Sequence, residues 1–486
     1  MLPIPNRVVP QEGEFHLETI KVITCTTDAF LEAEKLGKKL SLPVQISEAA
    51  PDGIHLELSA DLANPEAYIL EIRPNGVRIS ASALAGLFYG CITLLQAGSS
   101  CTLIEDAPRF AWRGSHLDVS RHFMPFEWLK KYLDLLAVHK MNILHLHLTD
   151  DQGWRLEIKK YPRLTEIGAW RKQTRIGHEL SDDKSFDGIS HGGFYSQAQM
   201  CELVAYALER HITIVPEIEM PGHATAALAA YPEFGNTKQT PEVTPNWGVF
   251  ESVFSPEEHT FSFLEDVLTE VLNIFPSPYI HIGGDECPKK EWQESAIAQS
   301  IMRRHDLEDE EALQSYFVGR INTFLKSRGR KMIGWDEILE GGLVDGATVM
   351  SWRGEEGGII AAKAGHDVVM TPGTHVYFDH YQTETPDLEP LAIGGCTTLE
   401  KVYSYEPIPK ELSALEGQRV LGSQAQLWTE YMPNPAHVER MAFPRLCALS
   451  EVLWTKPEAR DYADFLKRLE PHLAKLNVNH FKSFNN

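Results

Sequence analysis

A chain of 486 residues is longer than a single hydrophobic core usually serves, so at least two folded units are expected. With 43% hydrophobic and 23% charged residues the composition is that of an ordinary soluble protein, and no uninterrupted apolar stretch reaches membrane-spanning length, which sets a membrane partner aside. The balance of 68 Asp+Glu against 45 Lys+Arg leaves a net charge of -23, which repels a phosphate backbone and argues against nucleic acid as a partner.

The opening MLPIPNRVVPQEGEF has neither the basic start nor the apolar core of a secretory leader, which favours a cytoplasmic protein or one whose leader was trimmed. From about residue 22 to 96 the chain reads as a small α/β unit: alternating stretches at 68–72 and 76–79 predict two strands joined by the Asn75-Gly76 turn, and 81–96 predicts a helix. DAPRFAW at 106–112 marks the crossing into a second domain, giving expected domains of 1–107 and 108–486. Beyond it, short apolar runs alternate with helical spacing. Candidate strands fall at 115–119, 142–148, 212–216, 279–282, 331–334, 348–351, 368–371 and 420–426. Between them Trp128, Leu129, Tyr132, Leu135 and Leu136 show amphipathic spacing, and Ser196, Ser255-Pro256 and Asp309 are helix-start signals. Eight such repeats predict an α/β fold, a (β/α)8 TIM barrel preceded by a small α/β domain, with its active site at the C-terminal strand ends. Seven scattered cysteines without a CxxC pair suggest reduced thiols.

The predicted strand ends are rich in acids, tryptophan and histidine. In order they carry Asp118 and Arg121, Asp150 and Asp151, Glu219 and His223, Asp285 and Glu286, Trp335 with Asp336 and Glu337, Trp352, Tyr377 with Asp379, and Trp428 with Glu430. Adjacent Asp285 and Glu286 oppose double ionisation, and a raised pKa in one of them suits a general acid; solvated loop acids are the alternative. The preceding Gly283-Gly284 step is expected to let backbone approach a ligand closely. Trp335, Trp352 and Trp428 offer flat faces for a pyranose, with acids and arginine to hold its hydroxyls. A rival reading comes from His145 and His147, which lie on one side of their strand and, with Asp151 or His223, would suit a metal-dependent amidohydrolase. Barrel-interior histidines are the blander account of that pair. A non-catalytic sugar-binding homologue is a third reading.

These residues fall in nine motifs: PRFAWRG at 108–114, DVSRHF at 118–123, HLHLTDDQGWR at 145–155, PEIEMPGH at 216–223, HIGGDE at 281–286, GWDEIL at 334–339, SWRG at 351–354, YFDHYQ at 377–382 and QLWTE at 426–430. Together they make the chain resemble the β-N-acetylhexosaminidases of glycoside hydrolase family 20. The N-terminal unit, with GLFYG at 86–90, resembles the scaffolding domain of that family. The resemblance implies exo-acting, retaining, substrate-assisted hydrolysis of terminal β-linked GlcNAc or GalNAc from an oligosaccharide or glycoconjugate, without a cofactor. By the match Glu286 is general acid and base, Asp285 orients the 2-acetamido group and Tyr377 binds its oxygen. Arg121, Asp379 and Glu430 would hold hydroxyls, Trp335, Trp352 and Trp428 would wall the pocket, and Asp150 with His223 would relay to Glu286. Glu219 departs from the family, which usually has aspartate four residues before this histidine, so its support of the relay is expected to be weakened or redirected.

Overall fold

The computed structural model describes residues 1–47, 53–59, 62–237 and 239–476. The chain forms two compact units. The first joins Met1–Arg113 with Leu135–Met141 and residues 446–476; the second runs over Gly114–Asp134 and Asn142–Arg445. The boundary therefore does not follow strict chain order at residue 107: Trp454, far along the chain, is fully buried in the same apolar cluster as Ile54, Leu70 and Leu87. Its indole N–H donates to Asp106 at 2.9 Å, which holds it there.

The first unit is built on seven strands, β1 (Arg7–Glu14), β2 (Ile23–Cys25), β3 (Val44–Ile46), β4 (Gly53–Leu58), β5 (Tyr68–Arg73), β6 (Gly76–Ala81) and β7 (Ser100–Asp106), in the spatial order β1-β7-β5-β6-β4-β2-β3. Helices α1 (Phe30–Leu40) and α2 (Leu84–Gln96) contribute Ala33, Leu36, Leu87 and Leu94 to its core. The β5–β6 hairpin forms as expected, but it turns at Pro74-Asn75, one residue before the predicted Asn75-Gly76 step: Arg73 pairs with Gly76, which already belongs to the strand. The sheet extends beyond the 22–96 reading at both ends. Edge strand β1 is exposed along its whole length and holds Pro10, so its sequence looks like a loop.

The second unit is a closed parallel barrel whose strands are Trp112–Asp118, Ile143–His147, Thr213–Glu217, Tyr279–His281, Lys331–Trp335, Thr348–Ser351, Val368–Met370 and Val420–Ala425. All eight lie within a few residues of the predicted runs. Such strands are buried on both faces, so they appear as short apolar runs bounded by turns. Helix α3 (Phe126–Val138) follows the first strand, and the helices Gln197–Leu208 and Glu310–Ser327 begin at caps Ser196 and Asp309. The Ser255-Pro256 signal falls short of its helix, which starts at Glu258. Among the described residues no helix is long and apolar enough to cross a membrane.

Alternation in Ile143-Leu-His-Leu-His147 gives His145 and His147 one side of the strand, and register sets His147 opposite Glu217 and Glu217 opposite His281. Glu217, fully buried, accepts from His147 Nδ1 at 2.5 Å and from the Trp335 indole at 2.9 Å. His281 Nδ1 lies 2.7 Å and His145 Nε2 3.1 Å from its oxygens. Burial alone raises a carboxyl pKa, but His281, His147 and His145 together hold Glu217 well below the carboxylate range. Burial also opposes charge on His147, yet Glu217 on one nitrogen and Asp150 on the other push it up to about 10. Glu217→Gln leaves that imidazolium short of a counter-charge, and a stability loss of about 3–5 kcal/mol is expected from the denaturant midpoint. A midpoint equal to that of the parent protein would show that the barrel interior does not depend on this charge.

Candidate active site

At the C-terminal end of the barrel a cavity of about 490 Å³ is lined by Arg121, Asp285, Glu286, Trp335, Trp352, Tyr377, Asp379, Trp428 and Glu430. That volume suits a small ligand such as a sugar ring. Asp150 and His223, the other two residues picked out from sequence, lie behind this lining. His223 Nδ1 is 3.2 Å from Asp150 and 3.1 Å from Asp151, while its Nε2 faces Asp285 and Glu286, each at 3.6 Å. Burial disfavours charge on this ring, but the Asp150 and Asp151 contacts and Asp285 keep its pKa well above the ordinary histidine value.

Asp285 and Glu286 follow the fourth strand directly. Their nearest oxygens lie within 4.8 Å of each other beside the same imidazole, with Asp285 mostly buried and the Glu286 side chain 42% exposed in the cavity. Neither His223 nor Glu286 is glycine, yet both adopt left-handed backbone, at φ 47 and φ 43. The glycines before them act differently from expectation. A Cβ on Gly283, at φ +70, would fall 1.7 Å from Glu219 Oε2, so the missing side chain makes room for that carboxyl rather than for a ligand. Glu219 is the residue longer than the family norm: its backbone N–H donates to Thr149, while among the described residues neither carboxyl oxygen has a hydrogen-bond partner. Burial, then the charges of Asp285 and Glu217, raise its pKa well above the carboxylate range, which makes it a neutral acid.

Arg121 organises one wall. Its guanidinium is 3.0 Å from Asp150, 3.3 Å from Asp118 and 3.8 Å from Glu430, and it stands 5.0 Å from the Trp428 ring centre. On the facing wall Trp352 donates to Glu337 at 2.9 Å and stacks with Tyr377 at a ring separation of 6.1 Å. Trp335 closes the cup toward the barrel interior, anchored on Glu217. Burial and the neighbouring Asp285 and Asp336 push Glu337 up to about 8. Burial, then Glu430, raises Asp379.

The rival metal set does not assemble. His145 and His147 face Glu217, whereas His223 meets Asp150 and Asp151. Several contributors escape a reading of the sequence alone: Glu217, His116 and His281 inside the barrel, and Arg353, Thr374 and Ile393–Gly395 on the rim. An acid closing the apolar run ITIVPE is the available signal for Glu217; Arg353 falls inside the SWRG motif, where the sequence alone gives it no role, and the other rim residues sit on loops with no pattern of their own.

Burial raises the Glu430 carboxyl to about 7 against the pull of Arg121. Its capacity to accept from a sugar hydroxyl is thus lost as pH falls, and KM is expected to rise on acidification through about 7 in the parent protein but not in Glu430→Gln. Identical KM profiles for the two proteins would contradict this.

Residues 110–457 match the family described as Glycosyl hydrolase family 20, catalytic domain, and residues 1–101 match Glycosyl hydrolase family 20, domain 2. The chain is 43% identical to a β-hexosaminidase of Porphyromonas gingivalis across 98% of its own length, spanning 63% of that protein. It is 37% identical to a β-hexosaminidase of Vibrio furnissii, covering 93% of this chain and 76% of the relative. A crystal structure of an exo-β-N-acetylglucosaminidase from Vibrio harveyi in complex with N-acetylglucosamine superposes with a TM-score of 0.86 at 33% identity, over 99% of this chain and 78% of that one. The cup of acids and tryptophans, the barrel that carries it and these matches agree: the chain belongs to glycosyl hydrolase family 20.

Proposed function

We propose that this glycoside hydrolase removes terminal β-linked N-acetylhexosamine from oligosaccharides or glycoconjugates, with retention, and that the 2-acetamido group of the substrate is its nucleophile. The observation that carries the reading is the common side of Asp285 and Glu286, whose oxygens lie within 4.8 Å beside one imidazole. So short a separation leaves no room for the attacking water of an inverting pair and favours retention, which needs a nucleophile. The remaining cup carboxyls serve poorly as that nucleophile, because Glu337, Asp379 and Glu430 are all held toward their neutral forms. The names of the relatives, and the sugar bound in one of them, support the same substrate class.

In this reading Glu286, the acid most open to the cavity, protonates the leaving oxygen while the acetamide oxygen attacks the anomeric carbon and the glycosidic bond breaks. The ring so formed carries positive charge on its nitrogen, and buried Asp285 stabilises it. The Tyr377 hydroxyl, its pKa raised by burial, stays a donor to the acetamide oxygen and favours a near-attack geometry. Glu286 then takes a proton from water, which opens the intermediate from the face the leaving group left. His223, held cationic by Asp150, keeps Glu286 and Asp285 in register. A cup closed at its base by Trp335 admits a chain end, which accounts for exo action.

The test compares nitrophenyl β-glycosides of N-acetylglucosamine and glucose. A rate ratio of many powers of ten is expected, and comparable rates would assign the nucleophile to an enzyme carboxylate. Glu286→Gln is expected to lose most on substrates with poor leaving groups and little on activated aryl glycosides, whereas Asp285→Asn slows both. Equal losses in Glu286→Gln on both substrate types would remove it as the acid.

A further inference from the structure

In the unit that carries the seven-stranded sheet, three side chains unconnected with the cup converge. His139 lies just past the last turn of α3, Cys447 lies on the helix Arg445–Trp454, and His472 on the helix Tyr462–Lys475. The two Nε2 atoms are 2.9 Å apart, Cys447 Sγ is 3.3 Å from His139 Nε2, and all three atoms lie within 4.8 Å of one another. His139 and Cys447 are fully buried, while His472 keeps partial contact with solvent.

The tautomers follow from the neighbours. His139 Nδ1 is 2.7 Å from the Leu135 carbonyl and must donate to it, so Nε2 presents its single lone pair to the meeting point. The Cys447 thiol and the His472 ring both face that lone pair of His139. A cation at the same point would satisfy all three atoms at once.

We propose that His139, Cys447 and His472 form a binding site for a zinc-class divalent cation, with a fourth position open to water on the His472 side. Tetrahedral coordination with metal–N of about 2.0 Å and metal–S of about 2.3 Å implies N···N and N···S edges of about 3.3 and 3.5 Å. The observed edges of 2.9 and 3.3 Å fall a few tenths of an ångström short of these, and the third lies within 4.8 Å. The His139 Nδ1 bond to a backbone carbonyl is the outer support that metal-bound imidazoles use. On binding, the Cys447 S–H bond breaks as the S–metal bond forms and its proton leaves to solvent; no electron is transferred. The ion would tie three helical segments of the first unit together, a structural role separate from hydrolysis. The three ligands are too scattered in sequence for any spacing motif to reveal them.

The test uses the full chain, stripped with a chelator and titrated with Co²⁺. One equivalent is expected to bind, with thiolate-to-cobalt charge transfer in the near ultraviolet and the strong visible bands of a four-coordinate ion, both bleached by Zn²⁺. Zinc is expected to raise the melting temperature of the parent protein and not of His472→Ala, with turnover of an aryl N-acetylglucosaminide unchanged by stripping. Cys447→Ala should lose the charge-transfer band; should that buried substitution prevent folding, His472→Ala, on a partly exposed position, decides alone. Absence of the thiolate band in the parent protein, or its persistence in His472→Ala, overturns the site and leaves a cluster joined by hydrogen bonds only.

Discussion

The geometry of the cup depends on one buried carboxylate. Glu217 stands inside the barrel with His147, His281, His145 and Trp335 around it, drawn from the second, fourth and fifth strands as well as its own third. A charge in that position is costly unless every lone pair is occupied, and this requirement ties the strands to one register. A slip of one residue in any of them would turn its polar partner to the wrong side.

From Glu217 the signs alternate outward to the cup. The His147 imidazolium bridges Glu217 and Asp150, Asp150 meets both Arg121 and His223, and His223 faces Asp285 and Glu286. Each ion is stabilised by the next, so Asp285 and Glu286 rest on a chain of buried charges rather than on solvent. Glu219 sits beside that chain as an uncharged acid, accommodated because Gly283 has no side chain. The substitution of glutamate for the usual aspartate is thus absorbed in the barrel wall.

Much of this is legible in the sequence, unevenly. The barrel strands are visible because parallel strands covered on both faces must be short and apolar, and the cup residues because acids and tryptophans recur just beyond those runs. What stays hidden has physical reasons. Strand β1 is an exposed edge whose residues bury nothing and so carry no alternation. Glu217 shows only as a polar residue ending an apolar run, and its meaning depends on histidines from other strands. Arg353 and Thr374 reach the cup from loops, where no period constrains the sequence. The grouping of Trp454 with the first unit rests on packing between residues far apart along the chain.

The left-handed backbone at His223 and Glu286 carries a cost. Residues other than glycine in that region cost on the order of 1 kcal/mol or more each, and the surrounding structure has to hold them there. Glycine at either position would relieve that strain while removing an imidazole or a carboxyl from the cup, so backbone comfort and the polar wall of the cup pull in opposite directions. Both side chains are thus held at the cup against the preference of their own backbone.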